Sequence, residues 1–222
     1  ILVNLAAALV QQFDAPRTCC IIDLDLQFGD VAQYSGAEEP GSVGTLLEAG
    51  KRLDRDMLRD TATAIGDGVS VLAAPAEMMP IDDVDIDQLL RIISCARREF
   101  DFVFVDLPSG WTNWSLSIAA ASDEIFVVTK QGLGNLRHAH RCMRMFDDIG
   151  LERDKVKLVI NCATRSLFGA ISTKDVESAL NRNAIGWLPR DDDNMTLAVD
   201  QGRLLADVAP RSSYMKQIGL LA

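Results

Sequence analysis

The sequence predicts an α/β protein: a doubly wound, mostly parallel sheet with helices on both faces. Three observations lead there. Apolar runs of strand length alternate along the chain with stretches that carry apolar residues at helical spacing. The strand-like runs, such as Cys19-Cys20-Ile21-Ile22 and Phe102-Val103-Phe104-Val105, are apolar at consecutive positions, as in strands buried on both faces. Two of these runs end in carboxylates, Asp23 and Asp25 in one and Asp106 in the other. In an open parallel sheet, ligands bind beyond the carboxyl ends of the strands.

Each element follows from its own pattern. Ile1 to Phe13 reads as a helix with no start signal, neither cap residue nor turn, so the chain is expected to begin inside its first helix. Cys19 to Leu24 is a strand, followed by a loop through Glu38-Glu39-Pro40-Gly41. A helical stretch runs from about Thr45 to Ile65, broken near Arg52-Leu53-Asp54. Val69 to Pro75 is a strand running into a turn, and Asp85 to Glu99 is a helix with Leu89, Leu90, Ile92, Ile93 and Ala96 on its apolar side. The strand ending at Asp106 precedes a helix from about Asn113 to Ala121, then the strand Glu124 to Thr129. Gly134 to Ile149 is a helix, Val156 to Asn161 a strand, Thr173 to Asn181 a helix and Ala184 to Leu188 a short strand. A last helix starts near Ser212. No internal repeat, low-complexity linker or second domain interrupts this alternation, so residues 1–222 are read as a single domain.

Composition narrows the function. A net charge of −10 argues against nonspecific DNA binding, which rests on Lys and Arg neutralising phosphates. No run approaches the ~18 apolar residues of a membrane span. The tail from Ser212 to Ala222 has one Lys and a Gly, too little for autonomous membrane binding. Five cysteines, odd in number and without metal-site spacing, fit small core residues in a reducing cytoplasm. The acidic runs at 82–87 and 191–193 fit solvated loops or helix starts. His138 and His140, two apart in a helix, share no face and form no metal pair, whereas Arg137, Arg141 and Arg144 do line up.

The carboxylates carry the chemistry. With their strands side by side, Asp25 and Asp106 would meet at one crevice, where a hydrated Mg²⁺ and a nucleoside triphosphate fit, the outline of a phosphoryl-transfer site. A Gly-rich phosphate loop with its Lys and Ser/Thr occurs nowhere in the chain. Asp106 at the end of a buried strand needs a partner; a contact to hydrated Mg²⁺ supplies one, and capping of the next helix is the alternative. Asp30, beside Gly29, is either a switch residue or an ordinary turn Asp. Asn161 offers a donor and an acceptor that suit adenine, or else closes its strand into a turn. Trp111 and Trp114 are packing or interface residues; Met143, Met145 and Phe146 fill the core.

Ile22-Asp23-Leu24-Asp25-Leu26-Gln27-Phe28-Gly29-Asp30 resembles the second motif of the MinD/ParA-type P-loop ATPases, in the form found in the CpaE/TadZ branch of pilus-assembly proteins. Asp106-Leu107-Pro108-Ser109-Gly110-Trp111-Thr112-Asn113-Trp114 resembles that branch's Walker B segment. Residues 122–129 with 133–137, Val159-Ile160-Asn161, Trp187-Leu188-Pro189-Arg190-Asp191 and Ala198-Val199-Asp200-Gln201-Gly202 resemble later family segments, in order along essentially the whole chain.

The resemblance implies a P-loop NTPase fold whose first strand and P-loop lie upstream of residue 1. It implies ATP and Mg²⁺ as cofactors and an ATP-held homodimer. Asp25 would orient the attacking water, with Asp106 and Asp30 in the outer shell of the Mg²⁺. Asn161 would read adenine, and Pro189, Arg190 and Asp191 would cradle its ring. The implied role is a slowly hydrolysing switch in the cytoplasm, concentrated at a cell pole, that localises the type IV (Flp/Tad) pilus machinery through pilus assembly and secretion proteins. A non-hydrolysing scaffold of the same fold and a ParA-like partitioning ATPase are the alternatives. The acidity weighs against the second, and the tail against a MinD-like membrane-bound regulator.

Overall fold

The computed structural model describes residues 1–66, 68–80, 84–164 and 171–222. It forms two compact units: Ile1–Leu116 with Asn194–Pro210 and Ala222, and Ser117–Asp193 with Arg211–Leu221.

The first unit is built on the four-stranded sheet β2-β3-β1-β4, comprising β1 (Cys19–Asp23), β2 (Thr63–Gly66), β3 (Val69–Leu72) and β4 (Phe102–Asp106). Strands β3, β1 and β4 are parallel, and β2 pairs antiparallel with β3. Every residue of β1 is buried, which is why its apolar run is continuous. Against this sheet lies α1 (Leu2–Val10), whose Val3, Ala6, Ala7 and Val10 form one stripe packed with Ile21, Val69 and Val71. Cys19 and Cys20 are fully buried as expected; burial pushes both thiols up, Cys19 to about 12, so they remain protonated.

The segment expected to be helical from Thr45 to Ile65 is more broken than its pattern suggests. It contains α3 (Val43–Ala49), a 3₁₀ turn over Gly50–Arg52, α4 (Arg55–Thr61) and then β2. Gly50 takes a positive φ of 55°, and Asp54 restarts the helix by accepting from the Met57 N–H at 2.8 Å. Pairing with β3 then draws Thr63–Gly66 into the sheet, overriding the helical reading. A short α2 (Val31–Ser35) lies between β1 and α3. In α5 (Ile86–Glu99), Asp85 caps the first turn and Leu89, Ile92 and Ala96 are buried. Asp82 and Asp83, the start of the first acidic run, lie outside the described residues. The unit also holds α10 (Leu205–Val208), fixed by the Asn4 side chain accepting from the Leu205 N–H.

The second unit holds the parallel sheet β5-β6-β7, from β5 (Ile125–Thr129), β6 (Val156–Ala163) and β7 (Ala184–Pro189). Its helix α7 (Leu133–Asp148) buries Leu136, Ala139, Met143 and Phe146 and exposes Arg137, His138, His140, Arg141 and Arg144. A capping box of Ser172 and Asp175 starts α8 (Thr173–Leu180), and Asn181 ends it in the left-handed region. A terminal helix, α11 (Ser213–Leu221), packs on β7 where Gly186 leaves room for Leu221. Two further helices are α6 (Asn113–Ala121) and α9 (Asp192–Asp200); Asp192 and Asp193 of the second acidic run occupy the first turn of α9, complementing its dipole. Among the described residues, no helix is long and apolar enough to cross a membrane.

Candidate functional site

In the first unit, β1 and β4 end side by side, with Asp23 opposite Asp106 in register. The Leu24 N–H donates to the Asp106 carbonyl at 2.9 Å, and the chain then turns sharply. The Asp25 carbonyl accepts from the Gly29 N–H at 2.7 Å, and its Oδ1 accepts from the Phe28 N–H at 3.2 Å. Asp23 braces this turn from below: its Oδ1 accepts from the Asp25 N–H and its Oδ2 from the Val31 N–H, both at 3.1 Å. Asp30 stands at the start of α2, where its side chain makes no capping bond.

Gly29 has to be a glycine here. A methyl group on it would overlap both carboxylate oxygens of Asp23 and the Ala74 side chain. Gly29→Ala is therefore expected to destabilise the protein by about 1–3 kcal/mol, read from urea unfolding. Wild-type stability in this variant would mean that the turn yields without cost.

The carboxylates act on one another. Burial, then the charges of Asp106 and Asp25, push Asp23 up to about 6 against the two backbone donors that favour its ionised form. Asp106 is raised by burial and then by Asp25 and Asp30; Asp30 is raised by burial and by Asp25. No group of three or more His, Cys, Asp or Glu among the described residues could hold a metal ion unaided. Carboxylate oxygens are donors of the kind that a hydrated Mg²⁺ takes.

The remaining candidates lie in the second unit. Asn161 and Cys162 sit where the β6–β7 register slips between Ile160 and Ala163, and Cys162 has a φ of 51°. Asn161 Oδ1 accepts from the Cys162 N–H at 2.8 Å, so the side-chain oxygen is engaged in closing the strand end. Pro189 closes β7 opposite Ala163, and Arg190 pairs with Asp192 at 2.6 Å on the surface. Asp191 shields one carboxylate oxygen from solvent, and its charge acts with Cys162 on the buried Tyr214 hydroxyl, which burial already raises. The structure thus gathers Asp25, Asp30 and Asp106 around Asp23 in one unit, and Asn161 and Pro189-Arg190-Asp191 in the other. Trp114 is buried, as a packing residue, and Trp111 is half-buried.

No family model matches the chain. It is 25% identical over 140 residues to the septum site-determining protein MinD of Synechocystis sp., covering 61% of this chain but only about half, 51%, of that protein. Against the septum site-determining protein MinD of Bacillus subtilis it is 21% identical over 194 residues, 86% of this chain and 71% of that protein. Among solved structures it is similar to a ParA family ATPase from Chlorobium tepidum, with a TM-score of 0.87 and 25% identity, covering 98% of this chain and 89% of that one. The chain has the fold of the MinD/ParA ATPases, and its sequence is similar to that of MinD proteins. The MinD/ParA fold is also seen in the MinD of Pyrococcus horikoshii complexed with Mg-ADP, with a TM-score of 0.80 and 18% identity over 99% of this chain and 86% of that one.

Sequence reading passes over three features of this chain: Gly29 as a steric necessity, the double brace made by Asp23, and the pairing of Gln131 with Thr164 (Gln131 Oε1 accepting from the Thr164 N–H at 2.6 Å). The first has a signal in the Gly between Phe28 and Asp30; the last has none.

Proposed function

We propose that the protein binds ATP with Mg²⁺ and works as a dimerising, slowly hydrolysing switch in the cytoplasm. The observation that carries this reading is the set of carboxylates Asp25 and Asp106 at the carboxyl ends of two adjacent parallel strands with Asp30 at the start of α2, Asp106 and Asp30 being raised by burial and then by the charge of Asp25. Like charges gathered at one strand-end crevice call for a cation. In this reading Asp106 and Asp30 hold the hydrated ion and Asp25 orients the attacking water. Asn161 donates to adenine, which Pro189, Arg190 and Asp191 border. Mg²⁺, when bound, neutralises charge on the phosphates. ATP that binds the dimer better than the monomer drives association by that difference alone.

The motif resemblance at residues 22–30 and 106–114 supports a narrower role: placing type IV (Flp/Tad) pilus machinery at a cell pole, with pilus assembly and secretion proteins as partners. The test is an ATP titration of the full-length protein with Mg²⁺ and with EDTA, followed by sizing and phosphate release. Binding that needs Mg²⁺, with a monomer-to-dimer shift, is expected. Binding indifferent to EDTA would take the carboxylates out of the site. Binding and dimerisation without phosphate release would replace the switch by a nucleotide-held scaffold, and no binding would leave only the fold. Fluorescent fusions test the polar role, which a uniform distribution would sink.

A further inference from the structure

Two buried hydrogen-bonding groups at the carboxyl end of β5 have no partner among the described residues. Thr129 closes the strand at 5% exposure, and its hydroxyl bonds to none of the described residues. Gln131, two residues on, is tied at one end only. Its Oε1 accepts from the Thr164 N–H at 2.6 Å and from the Thr164 hydroxyl at 3.3 Å, while its Nε2 is shielded from solvent and donates to no group. A backbone N–H can only donate, so the Thr164 contact fixes which way the amide lies and leaves the NH₂ turned inward. Buried polar groups are nearly always paired, and an unpaired one bears its full desolvation penalty.

Their placement matters as much. Thr129 stands opposite Ile160 in the β5–β6 register, one residue before Asn161. The carboxyl ends of strands are the ligand side of an open α/β sheet. Threonine at 129 is also a poor choice for packing alone, since valine would fill the same volume without a stranded hydroxyl.

We propose that Thr129 and Gln131 form a subsite of the second unit for the base of the bound nucleotide, with Gln131 Nε2 donating to a ring acceptor and the Thr129 hydroxyl bonding beside it. The inference rests on the nucleotide-binding reading above. Thr129→Val and Gln131→Glu test it in the full-length protein, by titration with ATP and with inorganic tripolyphosphate, which has no base. Thr129→Val removes an unpaired hydroxyl, so it should raise the melting temperature of the nucleotide-free protein yet weaken ATP binding. Gln131→Glu keeps the oxygen that Thr164 needs and replaces the donor, and should weaken ATP binding about tenfold, the worth of one good hydrogen bond. Tripolyphosphate binding should be unchanged in Thr129→Val.

Three results would overturn the subsite. The first is wild-type ATP affinity in both variants while Asn161→Ala weakens binding, which leaves the nucleotide reading intact. The second is equal loss of ATP and tripolyphosphate in Thr129→Val, which moves the contact off the base. The third is a wild-type protein that binds no nucleotide, in which case the parent reading falls as well.

Discussion

Asp25→Ala is expected to lower ATP turnover by about 10²–10⁴-fold while leaving ATP binding close to wild type. The Asp25 side chain is half-buried, and its one bond among the described residues is accepted from the N–H of Phe28, a residue 70% exposed. Losing that bond costs the fold little, because water can satisfy the Phe28 N–H. The second oxygen has no partner among the described residues and is the group available to a water molecule. Phosphoryl transfer asks for positioning more than base strength, so a carboxylate held by the turn suffices. Removing its charge also relieves Asp106 and Asp30, both of which it raises, so affinity for the anionic nucleotide should hold or tighten. Phosphate release and an ATP titration, run with a thermal melt, separate the effects. Unchanged turnover would remove Asp25 from the chemistry; lost binding with a lowered melt would make it a structural residue.

The parts of this site that are legible in the sequence are those set by strand burial. Asp23, Asp25 and Asp106 follow uninterrupted apolar runs, and such a run says at which end the carboxylates emerge; β1 is buried throughout as its run suggests, whereas β4, at the edge of its sheet, is only half-buried. The same logic finds the parallel strands and the apolar faces of α5 and α7. What depends on backbone geometry is not legible. Thr63–Gly66 joins the sheet because β3 offers a free edge, a fact held by the partner rather than by the segment. The slipped register at Asn161 and the positive φ of Cys162 follow from the meeting of β6 with β7. Gln131 and Thr164 lie 33 positions apart, and nothing in either local pattern announces the other. Asp23 shows the divide within one residue: its place at a strand end is readable, and the two N–H groups it serves are not.

Those two N–H groups make Asp23 the strongest structural prediction. It is fully buried, yet accepts two backbone bonds that an alanine could not. Each stranded donor costs about 1–3 kcal/mol, the buried Val31 N–H at the upper end, so Asp23→Ala should lose about 2–4 kcal/mol once relief from burying the charge is allowed for. Asp23→Asn keeps one acceptor and sets an NH₂ against the other donor, and should lose less. The pH dependence identifies the cause. With its pKa raised from 3.8 to about 6, folded Asp23 holds a proton that the unfolded chain has already released between those values. Wild-type stability should therefore rise as pH falls from 7 toward 4, by about 3 kcal/mol from this group. Asp106 and Asp30, also raised, act in the same sense. The surface carboxylates Glu99 and Asp101, lowered by their Arg and backbone partners, oppose it only at more acid pH. Urea unfolding at pH 7.5 and 5 measures the slope. Asp23→Asn should flatten it, and an unchanged slope would assign the proton elsewhere. Because Asp23 also holds the Asp25 N–H, its variants should lose turnover and stability together, where Asp25→Ala loses turnover alone.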